Sequence, residues 1–173
     1  MRYFRKIRPV ILCLLCLTFL LAGCGETPES SPSGKAEEAE YAMVYNQVRI
    51  QPGEAAAPVL SRLPAYRSFE ESGSCAADGK DKKYTYDSFC IETVHHKDAD
   101  VISAVYFLND LVETPEGVTI GQTEAEVTAA MGAPTGTVNG NYIYEGKTTE
   151  CRILFKDGTV SGVQYLIKDG PSQ

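Results

Sequence analysis

The residues with the most obvious chemistry are His95, His96, Asp98 and Asp100, four donors inside one short segment. Imidazole and carboxylate together can hold zinc or another divalent ion, or serve a hydrolase. The spacing argues against a dedicated site: strand neighbours point to opposite faces, and the H-x-x-x-H pattern that sets two rings on one helical face is absent. A solvated polar turn between strands accounts for the segment, so no metal ligand is assigned. A metal-binding factor or hydrolase centred on His95 and His96 is kept as the alternative function. Asp78-Gly79-Lys80-Asp81 has the look of a calcium loop. It lacks the ligand count and terminal Glu of an EF-hand and reads as an exposed loop. A thiol nucleophile needs an electropositive, partly exposed site and a base, and nothing places either histidine beside a cysteine. No G-x-S-x-G, P-loop, G-x-G-x-x-G or C-x-x-C outside the first 23 residues occurs, so no catalytic residue and no cofactor are expected.

Cysteine order carries more information. Residues 1–9 are basic, with Arg2, Arg5, Lys6 and Arg8, and residues 10–21 are apolar apart from Thr18. That run has the length of a secretory signal core and is shorter than the roughly 20 residues a spanning helix needs. It ends in Leu21-Ala22-Gly23-Cys24, which resembles the bacterial lipobox. The resemblance implies a signal peptide over 1–23, cleavage before Cys24, and diacylglycerol on the Cys24 sulfur. Two or more acyl chains, at about 0.8 kcal/mol per buried CH₂, hold a protein on a membrane far longer than one does. The expected address is the extracytoplasmic face of a cell membrane. Cys13 and Cys16 leave with the signal, so Cys75, Cys90 and Cys151 remain. At most one intrachain bridge forms among three, and Cys75 with Cys90, the pair closest in sequence, is the candidate. Cys151 reads as a small buried hydrophobe.

Of 173 residues, 16 are Lys or Arg and 23 are Asp or Glu; beyond residue 23 the balance is 12 to 23, a formal −11. Such a surface repels phosphate, which excludes a basic nucleic-acid footprint. Residues 24–40 are the expected lipidated tether: after Cys24, GETPESSPSGKAEEAE has no Val, Ile, Leu, Met or aromatic. Nothing in it offsets the entropy of ordering, and as a coil it spans on the order of 20 Å. The folded part, about 130 residues, is large enough for one core or two fused ones.

That part shows an internal repeat. Val48-Arg49-Ile50 answers Val118-Thr119-Ile120, and each leads through a break into a short helix. Thr123 with Glu126 is a capping box, Val127 and Met131 share a face, and Gly132 then Pro134 stop the helix; Val59, Leu63 and Pro64 are the counterparts. Tyr84-x-Tyr86 answers Tyr142-x-Tyr144, Phe89-x-Ile91-x-Thr93 answers Cys151-x-Ile153-x-Phe155, and 102–107 answers 160–165, all with the period of a half-buried strand. Asp157-Gly158 is a two-residue hairpin turn, whereas Lys97-Asp98-Ala99-Asp100 reads as a longer, looser loop. Between the first helix and its strands lies a longer segment, 64–83, with room for a second helix over 65–71. The expected fold is α+β: two tandem helix-plus-antiparallel-meander repeats, 41–112 and 113–169, forming a sheet with helices on one face.

Gly121-x-Thr123-x-x-x-Val127-x-x-x-x-Gly132-x-Pro134, opening a unit that finishes in alternating strands, resembles the repeat of the β-lactamase-inhibitor-like superfamily, which includes small outer-membrane assembly lipoproteins. Ser74 to Tyr86, of the form S-C-A-x-x-G-x-D-K-x-Y-x-Y, is similar to a stretch of tandem-repeat lipoproteins of Gram-positive bacteria. The resemblance implies helices on one face of an antiparallel sheet, an open face that binds proteins, and no particular partner. Exposed aromatics are common at recognition patches. Tyr106 aligns with polar Gln164, and Tyr66 and Phe69 lie in the longer segment, so these three are the candidate interface residues. The expected protein is a membrane-anchored extracytoplasmic lipoprotein acting as a non-catalytic protein-binding or envelope-associated module.

Overall fold

Asparagine, aspartate and glycine place the turns. The type I′ geometry needs positive φ at both central residues, and it recurs at Asn46-Gln47 (48°, 65°), Asn139-Gly140 (50°, 79°) and Asp157-Gly158 (52°, 80°). The computed structural model describes residues 40–73 and 79–168. Within them, β1 (Met43–Tyr45) and β2 (Val48–Ile50) form a hairpin, followed by α1 (Ala56–Leu60). The strands β3 (Ser68–Gly73), β4 (Lys80–Thr85), β5 (Phe89–His96) and β6 (Ala99–Phe107) form one antiparallel meander. After α2 (Glu124–Met131) come β7 (Gly136–Val138), β8 (Asn141–Glu145), β9 (Thr149–Lys156) and β10 (Thr159–Ile167). All eight join one sheet in the order β3-β4-β5-β6-β10-β9-β8-β7.

Among the described residues, the two meanders pair only along Ala104–Tyr106 of β6 and Gln164–Leu166 of β10. Beyond that seam, the chain before each helix lies against the uncovered half of a central strand. Gly53 N–H donates to Ile102 C=O at 2.8 Å and Ile102 N–H to Glu54 C=O at 2.9 Å; Gly121 N–H donates to Val160 C=O at 2.8 Å and Val160 N–H to Gln122 C=O at 2.7 Å. Bulges at Ser103 and Ser161 bend the same two strands beside these contacts. The helices are thereby seated on one face. In α2 the Thr123 Oγ1 accepts from the Glu126 N–H at 3.3 Å, the Glu126 carboxylate accepts from the Thr123 N–H at 2.7 Å, and Gly132 at φ 79° ends the helix.

The core follows from strand alternation. One row across the sheet reads Phe69, Tyr84, Ile91, Val105, Tyr165, Cys151, Tyr144. From Ile91 to Tyr144 it is buried, together with Met43, Ile50, Val59, Val118 and Val127. The next row, on the opposite face, reads Ser68, Thr85, Cys90, Tyr106, Gln164, Arg152, Ile143, Gly136. All sheet residues of the buried apolar cluster come from the first face, which carries the helices and the β1–β2 hairpin.

The structure corrects the α+β expectation. The protein is mostly β: a two-stranded and an eight-stranded antiparallel sheet, with helices of only five and eight residues, in place of tandem helix-plus-meander repeats. Each meander has four strands rather than three. The expected helix over 65–71 is replaced by β3, because Glu70 and Glu71 lie opposite Lys83 and Lys82 and are paired by a neighbouring strand. Val118–Ile120 forms no strand; Val118 is buried as the end of a turn in which Thr114 N–H donates to its C=O at 2.8 Å. The 97–100 loop is tighter than expected, since His96 already pairs with Ala99 and Lys97 takes φ 54°. The signal segment 1–23, Cys24, nearly all of the tether, and Cys75 lie outside the described residues.

Candidate functional site

The open face is a polar sheet surface with a few large side chains set into it. Tyr106 sits mid-sheet on β6, between Cys90 of β5 and Gln164 of β10, with Arg152 and Ile143 continuing its row. The Tyr106 hydroxyl donates to Glu92 Oε2 at 3.1 Å, and Lys83 Nζ stands 3.6 Å from Glu92 Oε1. Burial against neighbouring strands, with the Glu92 carboxylate beside it, pushes the Tyr106 phenol up to about 12, so it donates at neutral pH. Arg152 pairs with Glu150 in the same way. These pairs hold aromatic and charged groups in fixed positions on a solvent-facing surface. Across β3 to β6 a shallow depression of about 470 Å³ is lined by residues that include Glu70, Ser72, Asp81, Lys83, Glu92 and Ser103. One Asp81 carboxylate oxygen there is buried without a partner among the described residues.

The other two candidate interface residues lie elsewhere. Phe69 projects on the helix-bearing side at the sheet margin and packs with Tyr66 and Tyr84, ring centroids 5.1 to 6.0 Å apart. Tyr66 and Phe69 remain 49% and 43% exposed. The structure thus gathers Tyr66 and Phe69 into one marginal cluster and separates them from Tyr106 by the thickness of the sheet.

His95 and His96 do not converge. His95 lies opposite Asp100, and its Nδ1 is 3.1 Å from Asp100 Oδ1; Lys82 Nζ takes the other oxygen at 2.6 Å. The Lys82 hydrogen bond holds the Asp100 carboxyl below its usual range, and the same bond raises Lys82. A carboxylate so engaged has a lysine where a metal would stand. Among the described residues no group of three or more His, Cys, Asp or Glu is placed to hold a metal ion. Cys90 and Cys151 are free and buried; burial pushes the Cys90 thiol up to about 11 and Cys151 higher still. Neither is a thiolate at neutral pH. Cys75, the other half of the candidate bridge, lies outside the described residues.

The sequence did not point to Glu40. Its carboxylate accepts from the Thr148 and Thr149 hydroxyls, each at 2.9 Å, while Tyr41 N–H donates to Thr149 Oγ1 at 2.6 Å. Burial opposes charge there, yet these bonds keep the carboxyl below its ordinary value. The start of the domain is therefore fastened to the β8–β9 turn. Only the contrast between an acidic run and the aromatic that follows it, Tyr41, hinted at that junction.

No helix among the described residues is long and apolar enough to cross a membrane. No family model matches the chain, and neither a curated protein nor a solved structure aligns with it significantly.

Proposed function

We propose that this chain is a membrane-anchored extracytoplasmic lipoprotein whose folded part is a non-catalytic protein-binding module. The observation that carries the reading is the asymmetry of the eight-stranded sheet. One face seats the helices and hairpin, while the other presents Tyr106, Ile143, Leu166 and ordered ion pairs with no helix or hairpin of the core cluster over it. A half-buried aromatic fixed among charged side chains is the composition of a recognition patch. The engaged Asp100 and the protonated, buried thiols leave no poised base or nucleophile in those places, which favours binding over chemistry.

The anchor follows from the order of basic segment, apolar run and Leu21-Ala22-Gly23-Cys24. Two measurements test the proposal. Mass spectrometry of the mature protein is expected to find diacylglycerol on Cys24, with Cys24→Ala released from the membrane fraction. A photoreactive residue at position 106 in intact cells is expected to capture a discrete protein, and one at Ala129 on the exposed side of α2 is not. Equal capture from both positions, or none from either, overturns the binding role.

A further inference from the structure

The eight-stranded sheet has two margins that differ in kind. At one end β7 has three residues; at the other β3 has six, all exposed, with no strand beyond it among the described residues. Such a margin is a template for another strand unless charge, proline or a covering element blocks it. The backbone pattern shows which groups it offers. Tyr86 N–H donates to Phe89 C=O across the β4–β5 turn, so Tyr86, Tyr84 and Lys82 turn their backbone groups toward β5. Thr85, Lys83 and Asp81 turn theirs toward β3. Their partners Ser68, Glu70 and Ser72 face inward, which leaves the N–H and C=O groups of Phe69, Glu71 and Gly73 directed outward.

The side chains select the occupant. Phe69, with Tyr66 and Tyr84, forms an exposed aromatic cluster on the helix-bearing side. Glu70 stands on the open side, where Lys83 is already drawn to Glu92, and Glu70 has no ion pair among the described residues. Self-pairing is disfavoured by the same charges: antiparallel β3–β3 registers that keep most of the strand paired set Glu70 or Glu71 opposite Glu70 or Glu71 of the second copy, and like charges directly opposite are destabilising. The β3 margin also lies about five strand spacings, roughly 24 Å, from the β9 end where Glu40 fastens the domain.

We infer that β3 accepts an extended, basic polypeptide segment by antiparallel strand addition. An apolar residue of that segment sits against Phe69 and Tyr66, and Lys or Arg lies opposite Glu70, since Glu71 is already paired with Lys80 at 2.5 Å. Main-chain hydrogen bonds supply affinity and the alternating side chains supply selectivity. This rests on the binding reading above and adds to the Tyr106 face a second contact surface, the β3 margin, with a partner chemistry for it.

The test uses fluorescence anisotropy on the folded protein with the peptide TVTRKFTVT, and TVTEEFTVT as control. The basic peptide is expected to bind saturably and the acidic one not to bind. Glu71→Pro, which removes an outward N–H and leaves the β3–β4 hydrogen bonds in place, is expected to weaken binding about tenfold, the scale of one lost hydrogen bond to a desolvated partner. Glu71→Gln, which keeps that N–H, is expected to weaken it less. Glu70→Lys, which leaves the backbone untouched, is expected to weaken it about tenfold as well, and circular dichroism melting verifies that each variant is folded. Equal binding of both peptides, no binding of TVTRKFTVT, equal loss in Glu71→Pro and Glu71→Gln, or a dimer in sedimentation that Glu71→Pro abolishes overturns the assignment. Capture through position 106 in cells, with no peptide binding at β3, leaves the binding reading intact and removes only this site.

Discussion

The two faces of the sheet are built from the same strands, yet consecutive residues serve opposite ends. Ile153 is fully buried in the core face, while Arg152, one position earlier, lies exposed in the open face opposite Gln164 and Ile143. The core face is apolar across both meanders, from Ile91 through Val105 and Tyr165 to Cys151. The open face alternates acids, bases and a few large apolar groups, several already paired with each other. Burial on one side carries stability; the other side is free to hold charged groups in place because little of the fold depends on them.

The largest expected effect breaks or upholds that contrast directly. Ile153→Ala removes a fully buried side chain between β8 and β10 and is expected to cost about 2–5 kcal/mol in denaturant unfolding. Lys83→Ala loses the exposed open-face ion pair with Glu92 and is expected to cost about 1 kcal/mol or less. If the two costs match, the open face is not open.

A smaller effect belongs to the element seated on the core face. Thr123 closes the capping box of α2, so Thr123→Ala is expected to cost about 1 kcal/mol. Thr123→Ser, which keeps the hydroxyl, should recover most of it. The same unfolding titration reads both.

The Lys82, Asp100, His95 group at the end of the β5–β6 hairpin sharpens the contrast through pH. The Asp100 carboxyl is lowered, so its stabilisation is full above the ordinary carboxyl value near 4 and is lost as pH falls through the lowered one. Lys82 is raised, so its share is full below the ordinary lysine value and is lost as pH rises past it. Asp100→Asn is expected to flatten both limbs of the stability curve and to leave the plateau lower by about 1 kcal/mol or less. Thermal unfolding across pH tests this, and unchanged limbs would show that the ion pair contributes nothing.

Much of the strand pattern was legible because it rests on local chemistry. Asp157-Gly158 marks its turn, and Cys151, Ile153 and Phe155 alternate as a half-buried strand must. The Thr123 and Glu126 box marks the start of α2. Asn139-Gly140 was an equally clear turn signal and would have revealed β7 as a separate strand. What stayed hidden depends on partners far along the chain. Ser68–Gly73, SFEESG, has no β-branched residue and is held as a strand by Lys82, Lys83 and the rest of β4. Lys97 adopts positive φ without being Gly, Asn or Asp, so its tight turn carries no compositional mark. Thr123 marked the start of α2 correctly, whereas the first helix, read through Leu63 to a stop at Pro64, ends at Leu60, where Arg62 and Leu63 tighten into i to i−3 bonds. For the candidate site, the polar counterpart Gln164 suggested an exposed Tyr106; the two lie opposite each other in register, with Tyr106 half-buried. The marginal position of Tyr66 and Phe69 was not legible, because β3 itself was not.

The smallest effect on stability is expected at Tyr106, and it separates the ring from its hydroxyl. Tyr106→Phe removes the bond to Glu92 and keeps the ring between Cys90 and Gln164, so its unfolding free energy should stay within about 1 kcal/mol of the parent. The phenol is raised by burial to about 12, as are Tyr86 and Tyr144. Its share of stability is therefore full below the ordinary tyrosine value near 10 and falls as pH climbs toward 12. Spectrophotometric titration should show one fewer late-ionising tyrosine in Tyr106→Phe, and the alkaline limb of its stability curve should be shallower. Side-chain chemistry then decides what the open face uses. With the photoreactive residue placed at position 164, opposite Tyr106, a face that recognises its partner through ring area keeps capture in Tyr106→Phe and loses it in Tyr106→Ala, whereas a face that recognises through the Glu92 hydrogen bond loses capture in both.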